Sequence, residues 1–496
     1  MSGNDIDISQ SLVLAAEDCP AEDFPRLHVF QSHEERVIQA LCAHGPVLIK
    51  GGRGSGKSAL MIEAARRMDD PASSIFPIYL SLRSVPLLRS TGAEYEKLFC
   101  MLLSEEISRR LRATDSRAFT FPIVLDVIEL QRRLQELVEA LGKRVVLMFD
   151  DVAHIGREAS LEEFFGIFRT ISSNRVSCKA SIYPGVTRFG VRFDVYNDAT
   201  VFDLARDERS VGYAAFFDKV ISARFPSLHL RLAQYRGLER LDVSAFLGRA
   251  VVGNMRGFVF ACTRLESNSQ SGLPALEQTL KDLSSDYYWP LLEELEPKLG
   301  VYQPLVAVAR PLAEQIFRHA AAQKNVPSVI VHREIVQQLS KTFEILEYAG
   351  FISKREASRA MRSGGRGPRY ALNLANLIEF VSPARLTREL FKEWISAAID
   401  QPTDIHVSSG VITIQQPAPL ADGELAVFSL PIEKLEKSNA YPYGLTPAKI
   451  AELKQAKFMT VGDLASATNA DLWRVPTIAE KWVLRIRSAV LQAVWM

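Results

Sequence analysis

Short apolar runs alternate with amphipathic segments in the amino-terminal part of the chain. Residues 47–49, 75–82 and 144–149 are predominantly apolar stretches of the kind found in strands buried on both faces of a sheet. The segments 92–113 and 124–141 carry apolar residues at helical spacing. Strands that alternate with helices predict an α/β fold with a parallel sheet and crossover helices.

The pattern changes after residue 207, where apolar runs of this kind stop and helical spacing takes over. A chain of 496 residues is also longer than one ordinary hydrophobic core, so several domains are expected. The predicted units are an acidic flexible arm (1–27), an α/β core (28–207), a helical lid (208–300), a winged helix (301–380), a strand-rich linker (381–435) and a small carboxy-terminal helical domain (436–496).

Composition narrows the class of protein but points to no partner. The chain has 59 Lys and Arg against 58 Asp and Glu, so its overall charge favours neither nucleic acid nor membrane. Its first 25 residues contain six acids and no Lys or Arg, which is typical of a poorly ordered arm. The five cysteines lack metal-ligand spacing and no apolar run is long enough to span a membrane, so we expect a cytoplasmic protein with reduced thiols.

A glycine-rich loop follows the first predicted strand and precedes a predicted helix. Its spacing, Gly-x-x-x-x-Gly-Lys-Ser, is the full Walker A pattern that holds nucleotide phosphates. Glycines let backbone N–H groups point at phosphate, the lysine adds a positive charge, and the serine hydroxyl is a ligand for Mg²⁺. We therefore expect ATP and Mg²⁺ to bind at Gly51, Gly52, Arg53, Gly54, Ser55, Gly56, Lys57 and Ser58.

A second motif, Val-Val-Leu-Met-Phe-Asp-Asp, ends the predicted strand at 144–149. Carboxylates at the end of a buried parallel strand lie beside a phosphate loop in the same sheet. We assign Asp150 to hold Mg²⁺ through water, and Asp151 to act as the base that orients the attacking water. The alternative interpretation is a surface pair of acids after a core strand.

Residues 334–373 follow the order helix, turn, strand, wing, strand, which resembles a winged helix-turn-helix. The hairpin is strongly basic, with Glu356 as its one acid and a glycine-rich turn between its strands. Arginines on such a wing contact phosphates, which gives affinity rather than sequence choice. The alternative is a winged helix that binds protein. The candidate DNA-binding residues are Lys354, Arg355, Arg359, Arg362, Arg366 and Arg369.

The last predicted domain resembles a helix-hairpin-helix module. In that family a Gly-x-Gly hairpin binds phosphate through its backbone N–H groups, but here Thr477 and Ala479 replace the two glycines. We therefore expect the helix-hairpin-helix fold, but the replacements put phosphate binding by the hairpin backbone in doubt. Lys481, Arg485 and Arg487 remain candidates for contact with a nucleic-acid backbone, and the alternative is a module for packing or for a protein partner.

The order of the two Walker motifs, a Gly-Asn-Met-Arg sequence at 253–256 and a winged helix resembles the origin-recognition-complex-like initiator ATPases of the AAA+ superfamily. It is also similar to the STAND signalling ATPases, whose Walker B motif often ends in two aspartates. The resemblance covers roughly residues 28–380 and implies a P-loop NTPase with ATPase activity. AAA+ motors more often carry Asp-Glu, so the shorter reach of Asp151 predicts slow, switch-like hydrolysis.

The resemblance also implies roles for polar residues near the γ-phosphate. Arg256 matches the lid arginine called sensor 2, with an exposed arginine at a helix start as the alternative. Ser181 or Tyr183, at the end of a further predicted strand at 176–183, matches the polar residue called sensor 1. Arg188 and Arg192 are either arginine fingers toward a neighbouring subunit or solvated loop residues.

Two functions from different classes follow from these motifs. The first is an ATP-dependent switch that binds DNA through its winged helix. The second is a STAND-type signalling or anti-phage defence ATPase whose carboxy-terminal modules bind a protein partner. Nucleotide-dependent homo-oligomers are compatible with both, and neither involves a membrane. No zinc, Cys-His or Gly-x-Ser-x-Gly pattern is present, so ATP hydrolysis is the reaction that the sequence supports.

Overall fold

The computed structural model describes residues 15–70, 72–114, 119–157, 159–186, 189–396, 401–420, 425–437 and 444–495. Five strands form one sheet: β1 (Val47–Lys50), β2 (Ile75–Ser81), β3 (Arg144–Asp150), β4 (Val176–Ile182) and β5 (Thr200–Asp203). Their order is β2-β3-β4-β1-β5, and every neighbouring pair is parallel. The predicted α/β fold with a parallel sheet is confirmed.

Helices cover both faces of this sheet because its strands carry apolar side chains on both sides. They are α1 (Phe24–Leu27), α2 (Ser32–Cys42), α3 (Lys57–Met68), α4 (Val85–Arg89), α5 (Gly92–Ala113), α6 (Val127–Leu141), α7 (Ala159–Ile171) and α8 (Val195–Asp198). On one face, the ring of Phe149 in β3 lies 5.4 Å from Phe99 of α5 and 5.6 Å from Phe164 of α7, between ring centroids. On the other face, Met148 shares a core with α2 and α3.

The next region is helical, as its pattern predicted. It contains α9 (Tyr213–Arg224), α10 (Pro226–Leu232), α11 (Arg240–Ala250), α12 (Met255–Ser267), α13 (Leu273–Leu283) and α14 (Trp289–Glu294), with a π-helical turn at Ser284–Tyr288. The start of α12 is capped by Asn254, whose Oδ1 accepts a hydrogen bond from the backbone N–H of Gly257 at 3.0 Å. This cap fixes where α12 begins, directly after Asn254 of the Gly-Asn-Met-Arg sequence.

The winged-helix region has the expected helices and hairpin, plus a strand that the pattern did not reveal. Its elements are α15 (Val306–Ala322), β6 (Ser328–Val331), α16 (Arg333–Gln338), α17 (Ser340–Ala349), β7 (Ile352–Ala360), β8 (Arg366–Leu372) and α18 (Leu374–Leu377). The helix expected from residue 334 onward is divided at Leu339 into α16 and α17. Gly350, in the left-handed conformation, ends α17 just before β7 begins.

The linker that follows is not strand-rich. It contains helix α19 (Arg388–Ile395) and, among the described residues, one strand, β9 (Thr403–Ile405), which pairs in parallel with β6. The second sheet therefore has the order β7-β8-β6-β9. An extended segment becomes a strand only where a neighbour pairs with it, and the pattern at 404–430 carries no information about that neighbour. Residues 397–400 and 421–424 lie outside the described part.

The acidic arm also differs from its prediction. Ala16–Asp18 forms a 3₁₀ turn, and Phe24 and Leu27 of α1 are buried. Residues 15–27 are therefore packed against the core rather than forming a flexible arm, because apolar side chains between the acids anchor them. Residues 1–14 of the predicted arm lie outside the described residues.

The carboxy-terminal domain has the predicted short helices and its own hydrophobic core. The helices are α20 (Pro447–Gln455), α21 (Val461–Ser466), α22 (Asn469–Trp473) and α23 (Glu480–Trp495). Val85 and Leu88 of α4, from the α/β domain, belong to this core. Further 3₁₀ turns are at Glu296–Lys298, Gly300–Leu305, Ile378–Phe380, Val407–Ser409, Ala426–Ser429 and Ile432–Leu435. Within the described chain, no helix has the length and apolar character needed to cross a membrane.

Candidate nucleotide site

The glycine-rich loop connects β1 to α3, as the Walker A pattern predicts. Gly54 and Gly56 adopt left-handed backbone conformations, with φ values of 76° and 98°, which turn the loop into the first residue of α3. That residue is Lys57, whose Nζ donates hydrogen bonds to the carbonyl oxygens of Gly51 at 2.8 Å and Gly52 at 3.1 Å. The ammonium group is thus folded back over the loop, where it is expected to bind phosphate.

The loop lines a cavity with an empty volume of about 1060 Å³, including the space at its mouth. Arg53, Gly54, Ser55, Gly56, Lys57 and Ser58 all line it, as do residues of the arm, the lid and the carboxy-terminal helix. The apolar lining residues include Leu27, Phe30, Phe216, Val220, Met255 and Val259.

Lys57 is buried, and its charge has few neighbours to stabilise it. Burial lowers the pKa of Lys57 to about 8, an effect that the nearby carboxylates of Asp151 and Asp150 only partly oppose. Its Nζ also lies 4.1 Å from the centre of the Tyr183 ring. A buried ammonium held mainly by neutral groups is suited to an anionic ligand.

Asp150 ends β3 and is fully buried. Its Oδ2 accepts a hydrogen bond from the Tyr79 hydroxyl at 2.8 Å, and its Oδ1 accepts from the Ser181 hydroxyl and from the backbone N–H of Asp151. Asp150 does not line the cavity. Both of its oxygens accept hydrogen bonds from the protein, and a carboxylate oxygen of Asp150 lies within 4.8 Å of oxygens of Glu17 and Asp151, so its assignment as the carboxylate that holds Mg²⁺ through water stays a prediction.

Asp151 does line the cavity, and its environment is unusual for a carboxylate. Its backbone is left-handed, with φ of 53°, and the Tyr183 hydroxyl donates a hydrogen bond to its Oδ1 at 3.2 Å. Its Oδ2 lies 2.7 Å from Nε of Arg83, a charge contact without hydrogen-bond geometry. Burial, and then repulsion from Asp150, raise the pKa of Asp151 to about 6, although the Arg83 charge opposes this. A carboxyl with such a pKa fits the predicted role of base.

Two residues of this end of the cavity were missed by the sequence analysis. Arg83, two residues beyond β2, contacts Asp151, and Glu17 from the arm lies 3.7 Å from Arg83. Carboxylate oxygens of Glu17, Asp150 and Asp151 lie within 4.8 Å of one another. No motif surrounds Arg83 or Glu17 in the sequence, so no local signal marks them.

The oxygens at this end fit a magnesium ion, which prefers carboxylate, hydroxyl and water ligands. Ser58, Asp151 and Glu17 all line the cavity. Oδ2 of Asp151 and Oε1 of Glu17 are buried and have no hydrogen-bond partner in the described chain. Both oxygens face the Arg83 guanidinium, at 2.7 Å and 3.7 Å, so a bound cation would share them with that charge.

The lid closes on the phosphate loop through the Gly-Asn-Met-Arg sequence. The backbone N–H groups of Met255 and Arg256 donate to the carbonyl oxygen of Gly54 at 3.0 and 3.2 Å. The side-chain amide of Asn254 donates to the carbonyl oxygen of Arg53. These contacts place Arg256 in the cavity wall, as the sensor 2 resemblance implies.

Arg206 is a further residue that the sequence analysis missed. Its Nη1 donates to the carbonyl oxygens of Ser55 at 3.1 Å and Gly253 at 3.0 Å, so it joins the phosphate loop to the lid. Its Nε pairs with Glu34 of α2 at 2.9 Å. One guanidinium thus connects three segments at the cavity.

Two arginines in the cavity wall carry N–H groups without a partner. Nε and Nη1 of Arg53 and Nε of Arg256 are buried and have no hydrogen-bond partner among the described residues. Burial lowers the pKa of Arg256, and the charge of Arg53 lowers it further. Two half-buried guanidinium groups that repel each other favour an anion near them.

A phosphate loop between a central parallel strand and a helix, with the Walker B strand in the same sheet, decides the fold class. The fold is that of a P-loop NTPase. Solved structures show a distant likeness to the chain.

Three solved structures illustrate this likeness. A Walker-type ATPase of Pyrococcus abyssi is 14% identical with a TM-score of 0.43, and the match covers 70% of this chain and 94% of that one. The ORC1 protein of Aeropyrum pernix, solved in complex with DNA, is 14% identical with a TM-score of 0.34, over 75% of this chain and 94% of that one. A STAND protein of Pyrococcus horikoshii with a tetratricopeptide repeat sensor is 14% identical with a TM-score of 0.27. The match covers 74% of this chain and 44% of that one. No protein-family model and no curated protein matches the sequence.

The winged helix packs directly on the phosphate loop of the NTPase fold. The backbone N–H of Arg53 donates to the carbonyl oxygen of Tyr348 in α17 at 3.2 Å. The Tyr348 ring meets that of Tyr183 edge-on, with 4.8 Å between ring centroids. A Cβ atom at Gly52 would lie 3.0 Å from the carbonyl oxygen of Glu347. The helix that precedes the wing is therefore covered by the nucleotide-binding domain.

Two of the six candidate DNA-binding residues are not available to a nucleic acid. The side chains of Arg355 and Arg369 are each 2% exposed, and both pair with Glu208, at 2.7 and 3.2 Å. The charge pattern predicted exposure, but these side chains point toward the NTPase domain and its lid. The residues that remain at least partly exposed are Lys354, Arg359, Arg362 and Arg366.

The candidate residues of the carboxy-terminal domain mainly hold that domain together. Arg485 donates to the carbonyl oxygen of Gly444 at 3.2 Å, and Arg487 donates to that of Leu464 at 3.0 Å. Lys481 is exposed. In the altered hairpin, Lys449 Nζ donates to the hydroxyl and the carbonyl of Thr477, at 2.8 and 3.1 Å. Side-chain contacts thus stabilise the turn from which both glycines are missing.

The remaining candidate residues are those predicted to contact the γ-phosphate, as sensor 1 or as an arginine finger. Ser181 and Tyr183, the alternatives for sensor 1, both contact a Walker B carboxylate, Asp150 and Asp151 respectively. Arg192 is exposed and lies outside the nucleotide cavity. Arg188 lies outside the described residues, so the choice of an arginine finger stays a prediction.

Proposed function

We propose that the chain is a switch that binds ATP with Mg²⁺ and hydrolyses it slowly. The observation that carries this proposal is the convergence of buried cationic donors from Arg53, Lys57 and Arg256 on one cavity above a phosphate loop. A polyphosphate supplies the negative charge that these groups lack. The apolar lining between the arm and the lid suits a purine base.

The cavity residues have distinct roles in this proposal. Lys57 exchanges its contacts with the loop carbonyls for phosphate oxygens, and Arg256 contacts the terminal phosphate from the lid. Ser58 and Glu17 are oxygen donors for Mg²⁺, with Asp150 reaching the ion through water, and the bound ion would neutralise phosphate charge. Asp151 takes the proton of the attacking water, since a pKa of about 6 keeps it ionised at neutral pH.

The winged helix provides the output of this switch. In a phosphate loop the backbone N–H groups bind phosphate, but that of Arg53 is used by Tyr348 of α17. Phosphate and α17 therefore compete for one donor, and nucleotide binding weakens the docking of the winged helix. Release of α17 exposes the helix that such folds place on DNA, beside Lys354, Arg359, Arg362 and Arg366 of the wing.

A second candidate function is a STAND-type ATPase whose released surfaces bind a protein. The burial of Arg355 and Arg369 favours it, because the hairpin then offers less positive charge than its sequence indicates. So do the internal contacts of Arg485 and Arg487. In this case nucleotide-dependent oligomers form without DNA.

The first test is ATP hydrolysis by the purified chain, with Lys57→Ala as the critical variant. Loss of charge-assisted hydrogen bonds of about 1.5–3 kcal/mol each predicts at least a roughly 100-fold loss of activity. Lys50→Ala is the matched control, because Lys50 ends the strand before the phosphate loop but pairs with Asp203 outside the cavity. Equal activity in both variants would rule out the proposal.

The second test separates the two outputs. DNA binding is measured by fluorescence anisotropy at low salt, without nucleotide and with ATP. Binding that appears or strengthens with ATP supports the DNA output. Absence of binding to every duplex in both states, together with ATP-dependent oligomers in light scattering, supports the protein-binding alternative.

A further inference from the structure

The carboxy-terminal helix α23 reaches the nucleotide cavity with its last turn. Trp495 lines the same cavity as Lys57 and Asp151, although it belongs to a different domain. Its side chain is 8% exposed, and its indole Nε1–H has no hydrogen-bond partner among the described residues. A buried N–H group without an acceptor is costly, so an acceptor from a ligand would satisfy it.

Trp495 is held in place by the loop that follows the Walker B aspartates. Nε2 of His154, three residues after Asp151, lies 3.0 Å from the carbonyl oxygen of Val494, and its Nδ1 lies 3.2 Å from the backbone nitrogen of Gly156. One neutral tautomer satisfies both contacts, with Nε2–H as donor and Nδ1 as acceptor. The His154 ring also meets the Trp495 ring edge-on at 5.0 Å between centroids. The indole is therefore fixed relative to Asp151.

A second connection joins the same two regions. Helix α4 begins two residues after Arg83, the partner of Asp151, and its Val85 and Leu88 lie in the hydrophobic core of the carboxy-terminal domain together with Trp495. The domain is thus attached to the two segments that bring Arg83 and Asp151 to the carboxylate end of the cavity. This is the end at which the terminal phosphate of a nucleotide would lie.

We propose that Trp495 donates its indole N–H to the terminal phosphate of the bound nucleotide, so that the carboxy-terminal domain completes the site and distinguishes ATP from ADP. The inference rests on the proposed binding of ATP. The nucleotide site is then built from three parts of the chain: the NTPase domain, the lid and α23. Loss of the terminal phosphate removes one contact that holds the carboxy-terminal domain against the Walker B loop.

The test is the affinity of the full chain for a non-hydrolysable ATP analogue and for ADP, measured by isothermal titration calorimetry. Trp495→Phe removes the N–H donor and keeps an aromatic ring against His154. A hydrogen bond to a charged acceptor predicts that this variant binds the analogue about tenfold more weakly and binds ADP as the wild type does. Leu484→Ala is the control, because Leu484 is an exposed residue of the same helix.

The outcomes are distinguishable. Unchanged affinity of Trp495→Phe for both nucleotides, or an equal loss for both, overturns the inference while the proposed function stands. A chain that binds neither nucleotide, or a Lys57→Ala variant that binds both like the wild type, overturns the proposed function and the inference with it. Tryptophan fluorescence gives a second readout, since the change on adding the ATP analogue is expected in the wild type and absent in Trp495→Phe.

Discussion

Arginines are buried in two regions of this molecule, and their surroundings differ. In the nucleotide cavity, Arg53 and Arg256 have buried N–H groups without a protein partner, and their charges repel. In the winged helix, Arg355 and Arg369 share the carboxylate of Glu208. Arginine thus has a carboxylate partner in the winged helix, whereas the described part of the chain shows no ion pair for Arg53 or Arg256 in the cavity.

The comparison teaches how to separate a ligand site from a structural ion pair. A buried charge is tolerated only when something compensates it. Where the protein supplies the compensation, as Glu208 does, the charge serves the fold. Where the protein supplies none, as at Arg53 and Arg256, a ligand of opposite charge is the expected partner.

The largest expected effect is in the winged helix. Glu208→Gln leaves Arg355 and Arg369 buried without an acid, and breaking a buried pair costs about 3–5 kcal/mol. Glu356→Gln is the control, because Glu356 pairs with the more exposed Arg209 and Arg359 and is expected to cost about 0–1 kcal/mol. Urea unfolding followed by circular dichroism measures both. Equal stabilities of the two variants would contradict the assignment of Glu208 as the acid that compensates two buried arginines.

The next effect concerns the pH dependence of hydrolysis. Burial and Asp150 raise the pKa of Asp151 to about 6, and a base must be ionised to accept a proton. The hydrolysis rate is therefore expected to rise about tenfold per pH unit below pH 6 and to level off above it. Arg83→Gln removes a charge that lowers this pKa, so the midpoint should move to higher pH. Arg112→Gln, on the exposed side of α5, should leave it unchanged; a midpoint near the ordinary Asp value would contradict the assignment.

A smaller effect is expected where the two regions meet. Tyr348→Ala removes an aromatic contact with Tyr183 worth about 0.5–1.5 kcal/mol beyond its buried area, so the winged helix should dock less firmly. DNA affinity without nucleotide is then expected to rise by up to about tenfold. Tyr348→Phe keeps the ring and should behave as the wild type. A fall in affinity for Tyr348→Ala would show that docking is not inhibitory.

The smallest effect distinguishes two arginines of one hairpin. Arg366→Ala removes an exposed charge and should weaken DNA binding by a few fold, lowering the salt slope by about one. Arg369→Ala removes a buried charge and should lower stability instead. Anisotropy across a salt series and urea unfolding separate the two. Identical behaviour of both variants would contradict the burial of Arg369.

The sequence predicts the phosphate loop and the Walker B carboxylates because each motif is continuous in the chain. Hydrophobic periodicity also predicts the parallel sheet, which brings the two motifs together. Which aspartate faces the cavity was not predictable, since it depends on Tyr79 and Ser181 from neighbouring strands, whose hydroxyls turn Asp150 inward.

Contacts between distant segments account for the rest. Glu17, Arg83, Arg206 and Trp495 come from four separate parts of the chain, and no pattern around any of them indicates a cavity. The burial of Arg355 depends on Glu208, at the beginning of the lid region, so the local charge of the hairpin could not reveal it. Local patterns predict elements, while partners across domains are set by packing.

Gly54 and Gly52 of the phosphate loop face the lid and the winged helix, and both neighbours approach too closely for a side chain. A methyl group at Gly54 would lie 2.6 Å from Cβ of Arg256 in the lid, and one at Gly52 would lie 3.0 Å from the carbonyl oxygen of Glu347 in the winged helix. Even an alanine at either position would therefore crowd the neighbouring region and push it away from the phosphate loop. Substitution of these glycines by larger residues would therefore test how closely the lid and the winged helix must approach the phosphate loop.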